Sequence, residues 1–168
     1  MRTEKNQTTP FPSPVEAVNE FYQLIGAYFE CNSLTGINTT LLDLIGAATT
    51  RNLSAEEHKP LAIAAMLYDV RNTINLITKT RGLLNKRSFH RYAKNLAFKL
   101  LAVTQFEVDY LADLLYAALD RYIAPNESAC IASLAFSFEI TAAFKMIYDW
   151  LAACNNWYNA LSIKPNGG

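Results

Sequence analysis

Apolar residues recur three and four positions apart along most of the chain. From Val15 onward, the residues Val18, Phe21, Ile25 and Phe29 follow this spacing, which is typical of a helix that buries one face. No stretch shows a sustained alternation of apolar and polar residues bounded by hairpin turns, so the sequence predicts no sheet. The pattern therefore indicates an all-α protein.

Turn and capping residues divide this pattern into about six helices. Ser54 and Glu57 form a capping box before the third helix, Gly82 marks a turn, and Pro125 ends the fifth helix. The predicted helices cover residues 15–31, 38–50, 54–79, 88–105, 106–123, and 127 to 157 or beyond. We predict a single-domain bundle over residues 14–163, with a flexible arm at 1–13 and a frayed tail at 164–168.

The apolar faces of these helices define a predicted core. We expect it to include Phe21, Ile25, Leu67, Ile74, Leu96, Leu100, Leu111, Leu115, Leu134, Phe138 and Ile147, and we expect the second helix to bury Leu41, Leu42, Leu44 and Ile45. Hydrophobic residues make up 51% of the chain and charged residues only 18%. Because monomers rarely leave large apolar patches in water, we expect a homodimer.

Several kinds of chemistry lack the residues that they need. The glycines form no phosphate-binding loop, and no ExxH pair begins a metal site. Cys31, Cys130 and Cys154 are far apart and form no CxxC pair, so we expect small buried thiols in a reduced, cytoplasmic setting. The apolar run at 129–144 is shorter than the ~20 residues of a membrane span and carries Glu139. We predict no cofactor, no metal and no membrane span.

Charge is distributed unevenly, although the formal net charge is zero. Residues 71–105 contain eight Lys or Arg and no acid, whereas residues 107–120 contain four acids and no base. The zero net charge therefore conceals a separation of charge along the sequence.

The basic segment places a ridge of cations on the predicted fourth helix. Arg87, Arg91 and Lys94 share one helical face, and Lys86 precedes them. We call Arg87, Arg91 and Lys94 the basic ridge. The residues expected to turn toward the core are Phe89, Tyr92, Leu96 and Leu100.

Two interpretations of the basic ridge remain open. It is a solvated face that is partly neutralised by Asp109, Asp113 or the acids of the first helix, or it is a docking surface for something acidic. An acidic protein partner is favoured over nucleic acid, because the chain is not basic overall and a few cations would bind nucleic acid only weakly and non-specifically. The sequence thus predicts a non-enzymatic interaction or regulatory protein.

Aromatic residues crowd the C-terminal part of the chain. Tyr148, Trp150, Trp157 and Tyr158 lie within eleven positions of one another. Such residues are favoured at interfaces, so Trp150 and Trp157 are candidate binding residues, but the same residues also suit the closed end of a bundle core.

One pattern is compatible with catalysis. The stretch RNLSAEEH places Arg51, followed by Asn52, six residues ahead of His58, and it resembles the Arg, polar residue, spacer and His signature of HEPN-type ribonucleases. The resemblance implies a helical dimer in which Arg51 and His58 cleave RNA without a metal by acid-base chemistry. The capping box of Ser54 and Glu57 explains the same segment without catalysis. A ribonuclease is one alternative function, and weak non-specific binding of nucleic acid by the basic ridge is a second.

The stretch at 78–99 also resembles an EF-hand loop that enters its second helix. Gly82 lies at the turn, Leu84 at the apolar loop position and Phe89 at the start of the helix, and residues 124–136 repeat this outline. Calcium requires a cage of oxygen ligands. The corresponding loop positions of the first copy hold mainly Ile77, Lys79, Arg81 and Ser88, which excludes calcium from this loop.

Overall fold

The computed structural model of the chain describes residues 14–49, 60–104, 108–123 and 134–162. These residues form seven α-helices, one 3₁₀ turn and no strand, which confirms the predicted all-α, single-domain bundle. The elements are α1 (Pro14–Cys31), α2 (Leu34–Thr49), α3 (Pro60–Arg81), the 3₁₀ turn (Gly82–Asn85), α4 (Arg87–Tyr92), α5 (Lys94–Val103), α6 (Val108–Ile123) and α7 (Leu134–Ser162).

The first turn of the chain is tighter than the sequence predicts. Only Asn32 and Ser33 separate α1 from α2, whereas the predicted second helix begins at residue 38. Ser33 caps α2, because its Oγ accepts a hydrogen bond from the backbone N–H of Gly36 at 2.9 Å. The cap satisfies a backbone donor that would otherwise lack a partner, so the helix begins four residues earlier.

The predicted helix at 88–105 is divided in two. Ala93 adopts φ −127° and ψ 40°, which ends α4 and lets α5 begin at Lys94. The bend has a packing reason, since α4 lies against α1 whereas α5 lies against α7. Phe89 on α4 and Leu96 on α5 are both buried as a result. The predicted single helix is therefore wrong at this position.

The core surrounds α7, which contacts α1, α2, α5 and α6. The helix is continuous across Asn155 and Asn156, where the sequence left an interruption open. The largest completely buried side chains of the described ranges include Trp150, Phe21, Phe89, Phe144 and Ile25.

Most of the predicted core is buried, with three errors. Leu67 is 45% exposed, Phe138 is 75% exposed, and Leu42 is also exposed. Each lies out of phase with the buried stripe of its own helix, because Met66, Ile140 and Leu41 mark that stripe one or two positions away. Ile74 is half-buried, and the side chain of Leu134 lies outside what the structure describes.

Candidate functional site

The three cations of the basic ridge lie on the solvent side of α4 and α5. Arg87, Arg91 and Lys94 are all exposed. None of them forms an ion pair with another residue in the described ranges. Their positive charges are therefore available to an approaching molecule.

Two exposed aromatic rings lie among these cations. Phe98 is 72% exposed and Tyr92 is 58% exposed. The prediction that Tyr92 faces the core is wrong, because the buried stripe runs through Phe89 and Ala93 and places Tyr92 beside it. We call Arg87, Arg91, Tyr92, Lys94 and Phe98 the α4–α5 face.

A cleft of about 600 Å³ lies beside this face, where α5 meets α7. Tyr92, Lys94 and Lys99 line it on one side, and Asp149 and Trp157 line it on the other. The basic ridge and the C-terminal aromatic segment were predicted separately from the sequence. The cleft brings Lys94 and Trp157 into one concave site.

Trp157 is half-buried at the edge of this cleft. Its ring centroid lies 5.2 Å from that of Phe21 and 6.1 Å from that of Tyr22. These contacts with α1 fix the indole in place, so a ligand in the cleft would meet a rigid aromatic wall.

A second hollow of about 480 Å³ lies beside the first. Its walls are mainly apolar and include Phe98 and Leu101, with His90 at the edge. Lys94 and Asn95 line both hollows and therefore stand between them. A ligand that spans the two hollows would meet Lys94 at the centre, the apolar side chains of Phe98 and Leu101 on one side, and a mixed aromatic and polar surface on the other.

Lys86 differs from its predicted role. Its Nζ lies 2.7 Å from Oε2 of Glu20 on α1, in an exposed ion pair. Such pairs contribute about 0–1 kcal/mol to stability. An acid of the first helix therefore neutralises Lys86, as one of the two interpretations of the basic segment expects. Lys86 is less available to a partner than the three cations of the basic ridge.

Trp150 also differs from its predicted role. The side chain is completely buried, so it has no surface with which to contact a partner, and its assignment to a binding surface is wrong for the folded chain. Its indole Nε1 has no hydrogen-bond partner among the described residues. Trp150 belongs to the core around α7.

A group of polar side chains that the sequence did not indicate joins α1, α2 and α3. The hydroxyls of Tyr28 and Thr73 lie 2.9 Å apart, and Thr40 donates to Asp69 at 2.7 Å. Asn32 donates from its side chain to the carbonyl oxygen of Tyr28 at 2.8 Å. Burial raises the pKa of the Tyr28 hydroxyl. The group thus consists of neutral and paired polar atoms and serves to hold the helices together.

The two cysteines of the described ranges differ in exposure. Burial raises the pKa of Cys154, so its thiol stays protonated. Cys31 is exposed, which contradicts its predicted burial, and Cys130 lies outside the described residues. Over the same ranges, no three His, Cys, Asp or Glu side chains lie close enough together to hold a metal ion.

The two family resemblances fare differently. Arg51 and His58 both lie outside the residues that the structure describes, so the ribonuclease pattern remains a prediction. The EF-hand resemblance at 78–99 fails, because α3 continues to Arg81 and the first loop positions, including Ile77 and Lys79, are helical. The repeated outline at 124–136 lies mostly outside the described residues.

No family model, curated protein or solved structure matches this chain. Among the described helices, none combines the length and the apolar character that crossing a bilayer requires.

The exposed rings are the part of the site that sequence reasoning missed. Phe98 follows Lys94 by four positions, so the two residues share a face of α5. The sequence alone could have predicted this shared face. It could not have predicted the cleft, because the cleft exists only where α7 lies beside α5.

Proposed function

We propose that the chain is a non-enzymatic interaction protein that docks an acidic protein segment on the α4–α5 face. The observation that carries this proposal is the exposure of Phe98 beside three cations that form no ion pair within the described ranges, next to a cleft walled by Trp157. Cations alone would suit a solvated face. The exposed Phe adds apolar area to them, and burying a Phe side chain stabilises a complex by up to ~3 kcal/mol.

The chemistry of the face defines its partner. A segment with carboxylates would pair with the basic ridge, and an apolar side chain on the same segment would cover Phe98 or enter the cleft beside Trp157. Such a mixed surface resembles an interface, in which Trp, Tyr and Arg contribute most of the binding energy. Ion pairs and ring burial would both contribute to the affinity for this partner. Reversing the charge of the basic ridge would remove the first contribution and leave the rings unchanged, so charge reversal tests the proposal.

A protein segment suits this face better than nucleic acid does. The three cations of the basic ridge would give nucleic-acid binding that is weak and that falls steeply with salt. The hollow beside Phe98 and Leu101 has mainly apolar walls, which accept an aliphatic side chain, and Lys94 and Asn95 add polar atoms to it.

The test is affinity capture from lysate with matched charge reversals. The double variant Arg91→Glu/Lys94→Glu should lose an acidic protein that the wild type captures. The control Arg71→Glu/Lys79→Glu reverses two exposed cations on α3 and should retain it. Capture should also fail at about 1 M salt, where the Debye length is about 3 Å.

The outcomes separate the interpretations. Equal loss in both double variants would mean that only net charge matters, and retention in both would make the basic ridge a solvated face. Loss of capture after nuclease treatment would replace the protein partner by nucleic acid and would make His58→Ala the next variant to test.

A further inference from the structure

The exposed side of α6 is acidic. Asp109, Asp113 and Asp120 are all exposed, and they lie within about 40° of one another around the helix. Tyr116 is exposed in the same sector, and Tyr110 is exposed about 60–100° farther round the helix. We call these five residues the α6 face. It combines carboxylates with exposed rings, as the α4–α5 face combines cations with exposed rings.

The α6 face has no base of its own. Arg121 is the one base on α6, but it is buried and donates its Nε–H to the carbonyl oxygen of Ala47 at 2.6 Å. Glu139 on α7 adds a further carboxylate, which accepts a hydrogen bond from the hydroxyl of Tyr110. None of the three aspartates forms an ion pair within the described ranges.

The two faces do not neutralise each other within one chain. The α5 helix packs on α7, whereas α6 packs mainly on α2 and α3. No ion pair joins the two faces across the described residues. The α6 helix has 16 residues and extends about 24 Å, whereas the α4–α5 face is divided between two shorter helices of 6 and 10 residues.

We propose that the acidic partner of the α4–α5 face is the α6 face of a second copy of this chain. This inference rests on the proposed function and names its partner. Between two chains, the aspartates meet the basic ridge, and Phe98 meets the exposed tyrosines. The zero net charge of the chain favours such association, because no overall repulsion opposes it.

The charge pattern also limits the symmetry of the assembly. A twofold dimer in which each α4–α5 face meets its own copy would place cations against cations, which is unfavourable. Pairing of the α4–α5 face with the α6 face avoids this contact. It allows a closed twofold dimer in which the two chains exchange both contacts, or a head-to-tail assembly that continues into a ring or a filament.

Sedimentation velocity with two complementary variants tests the inference. The basic-face variant is Arg87→Gln/Arg91→Gln/Lys94→Gln, and the acid-face variant is Asp109→Asn/Asp113→Asn/Asp120→Asn. Wild type should sediment as species larger than one chain at low salt and shift to monomer at about 1 M salt. Each variant alone should be monomeric.

The equimolar mixture of the two variants is the decisive sample. The intact acidic face of one variant can pair with the intact basic face of the other, so the mixture should form a two-chain species and nothing larger. Arg71→Gln/Lys79→Gln should associate like the wild type. Circular dichroism verifies folding, and Asp113→Asn/Asp120→Asn replaces the triple variant if the loss of Asp109 unfolds the first turn of α6.

The results distinguish this inference from the proposed function. Association that persists in either variant alone, or a mixture that stays monomeric, overturns the inference. A monomeric wild type that still captures an acidic protein through Arg91 and Lys94 also overturns it but leaves the proposed function standing. If the wild type is monomeric, and if the Arg91→Glu/Lys94→Glu variant captures the acidic protein as well as the wild type does, both the inference and the proposed function are contradicted.

Discussion

The same substitution should change the stability of the fold strongly at Phe89 and hardly at all at Phe98, nine positions later. Phe89 is completely buried, and its ring centroid lies 4.9 Å from that of Phe21 in an edge-to-face contact between α4 and α1. Phe98 is 72% exposed on α5. Replacing each residue with Ala therefore separates a ring that holds the basic helix in place from a ring that faces solvent.

The two costs follow from burial. Phe89→Ala removes a fully buried ring and should lower the free energy of unfolding by about 3–5 kcal/mol, a large part of the ~5–15 kcal/mol of a typical domain. Phe98 keeps just over a quarter of its surface in contact, so its loss should cost under ~1 kcal/mol. Alanine has a higher helix propensity than Phe, and this difference offsets about half of that cost. We expect Phe98→Ala to change stability by less than about 0.5 kcal/mol.

Urea unfolding followed by far-UV circular dichroism measures both values. The experiment requires high salt and low protein concentration, so that association through the α4–α5 face does not add to the measured stability. A cost above about 2 kcal/mol for Phe98→Ala would show that this ring is buried. A cost below about 1 kcal/mol for Phe89→Ala would contradict the packing of α4 on α1. Either result would refute the described position of the basic ridge.

Three further predictions concern the aromatic and buried polar residues. Trp157→Phe leaves the buried Trp150 as the one tryptophan of the chain, so acrylamide quenching of the fluorescence should fall, and unchanged quenching would contradict the half-exposed position of Trp157. A Cβ at Gly26 would lie 3.1 Å from the ring of Tyr158, so crowding should offset part or all of the ~1 kcal/mol by which Ala is favoured over Gly in a helix. In thermal unfolding, Gly26→Ala should therefore stabilise the chain less than the same change does in a Tyr158→Ala background, and an equal effect in both would refute the contact. Burial raises the pKa of Tyr28 above its usual value of about 10, so the folded chain retains this proton when the unfolded chain has lost it. The free energy of unfolding should therefore fall as pH rises above about 10, and Tyr28→Phe should reduce the slope; an unchanged slope would assign the pH dependence to other groups.

The spacing of apolar residues predicts those helices that bury a single face against the core. The α1 and α6 helices follow it closely, and the spacing of Phe21 and Ile25 was sufficient to place α1. The bend at Ala93 follows no local signal, because it arises where α4 meets α1 and α5 meets α7. Tertiary packing decides such a break, and a single sequence contains no record of it.

The candidate site was predicted in part. The cations of the basic ridge are readable because charge on a helix face requires no knowledge of neighbours. The two tryptophans are harder, since Trp150 and Trp157 are seven positions apart and share one face of α7. Trp150 lies in the centre of the bundle and Trp157 at the edge of the cleft, so their different exposure depends on where the neighbouring helices end.

Photo-cross-linking from the position of Phe98 tests the central claim most directly. Replacing Phe98 with p-benzoylphenylalanine keeps an aromatic ring on the α4–α5 face, and the same replacement at Tyr68, which is exposed on α3, is the control. We predict an adduct from position 98 that joins an acidic peptide, either from another protein or from the α6 face of a second copy. It should disappear when Arg91→Glu and Lys94→Glu are added. Equal adducts from both positions, or an adduct from position 98 that survives the charge reversal, would contradict docking of an acidic segment on this face.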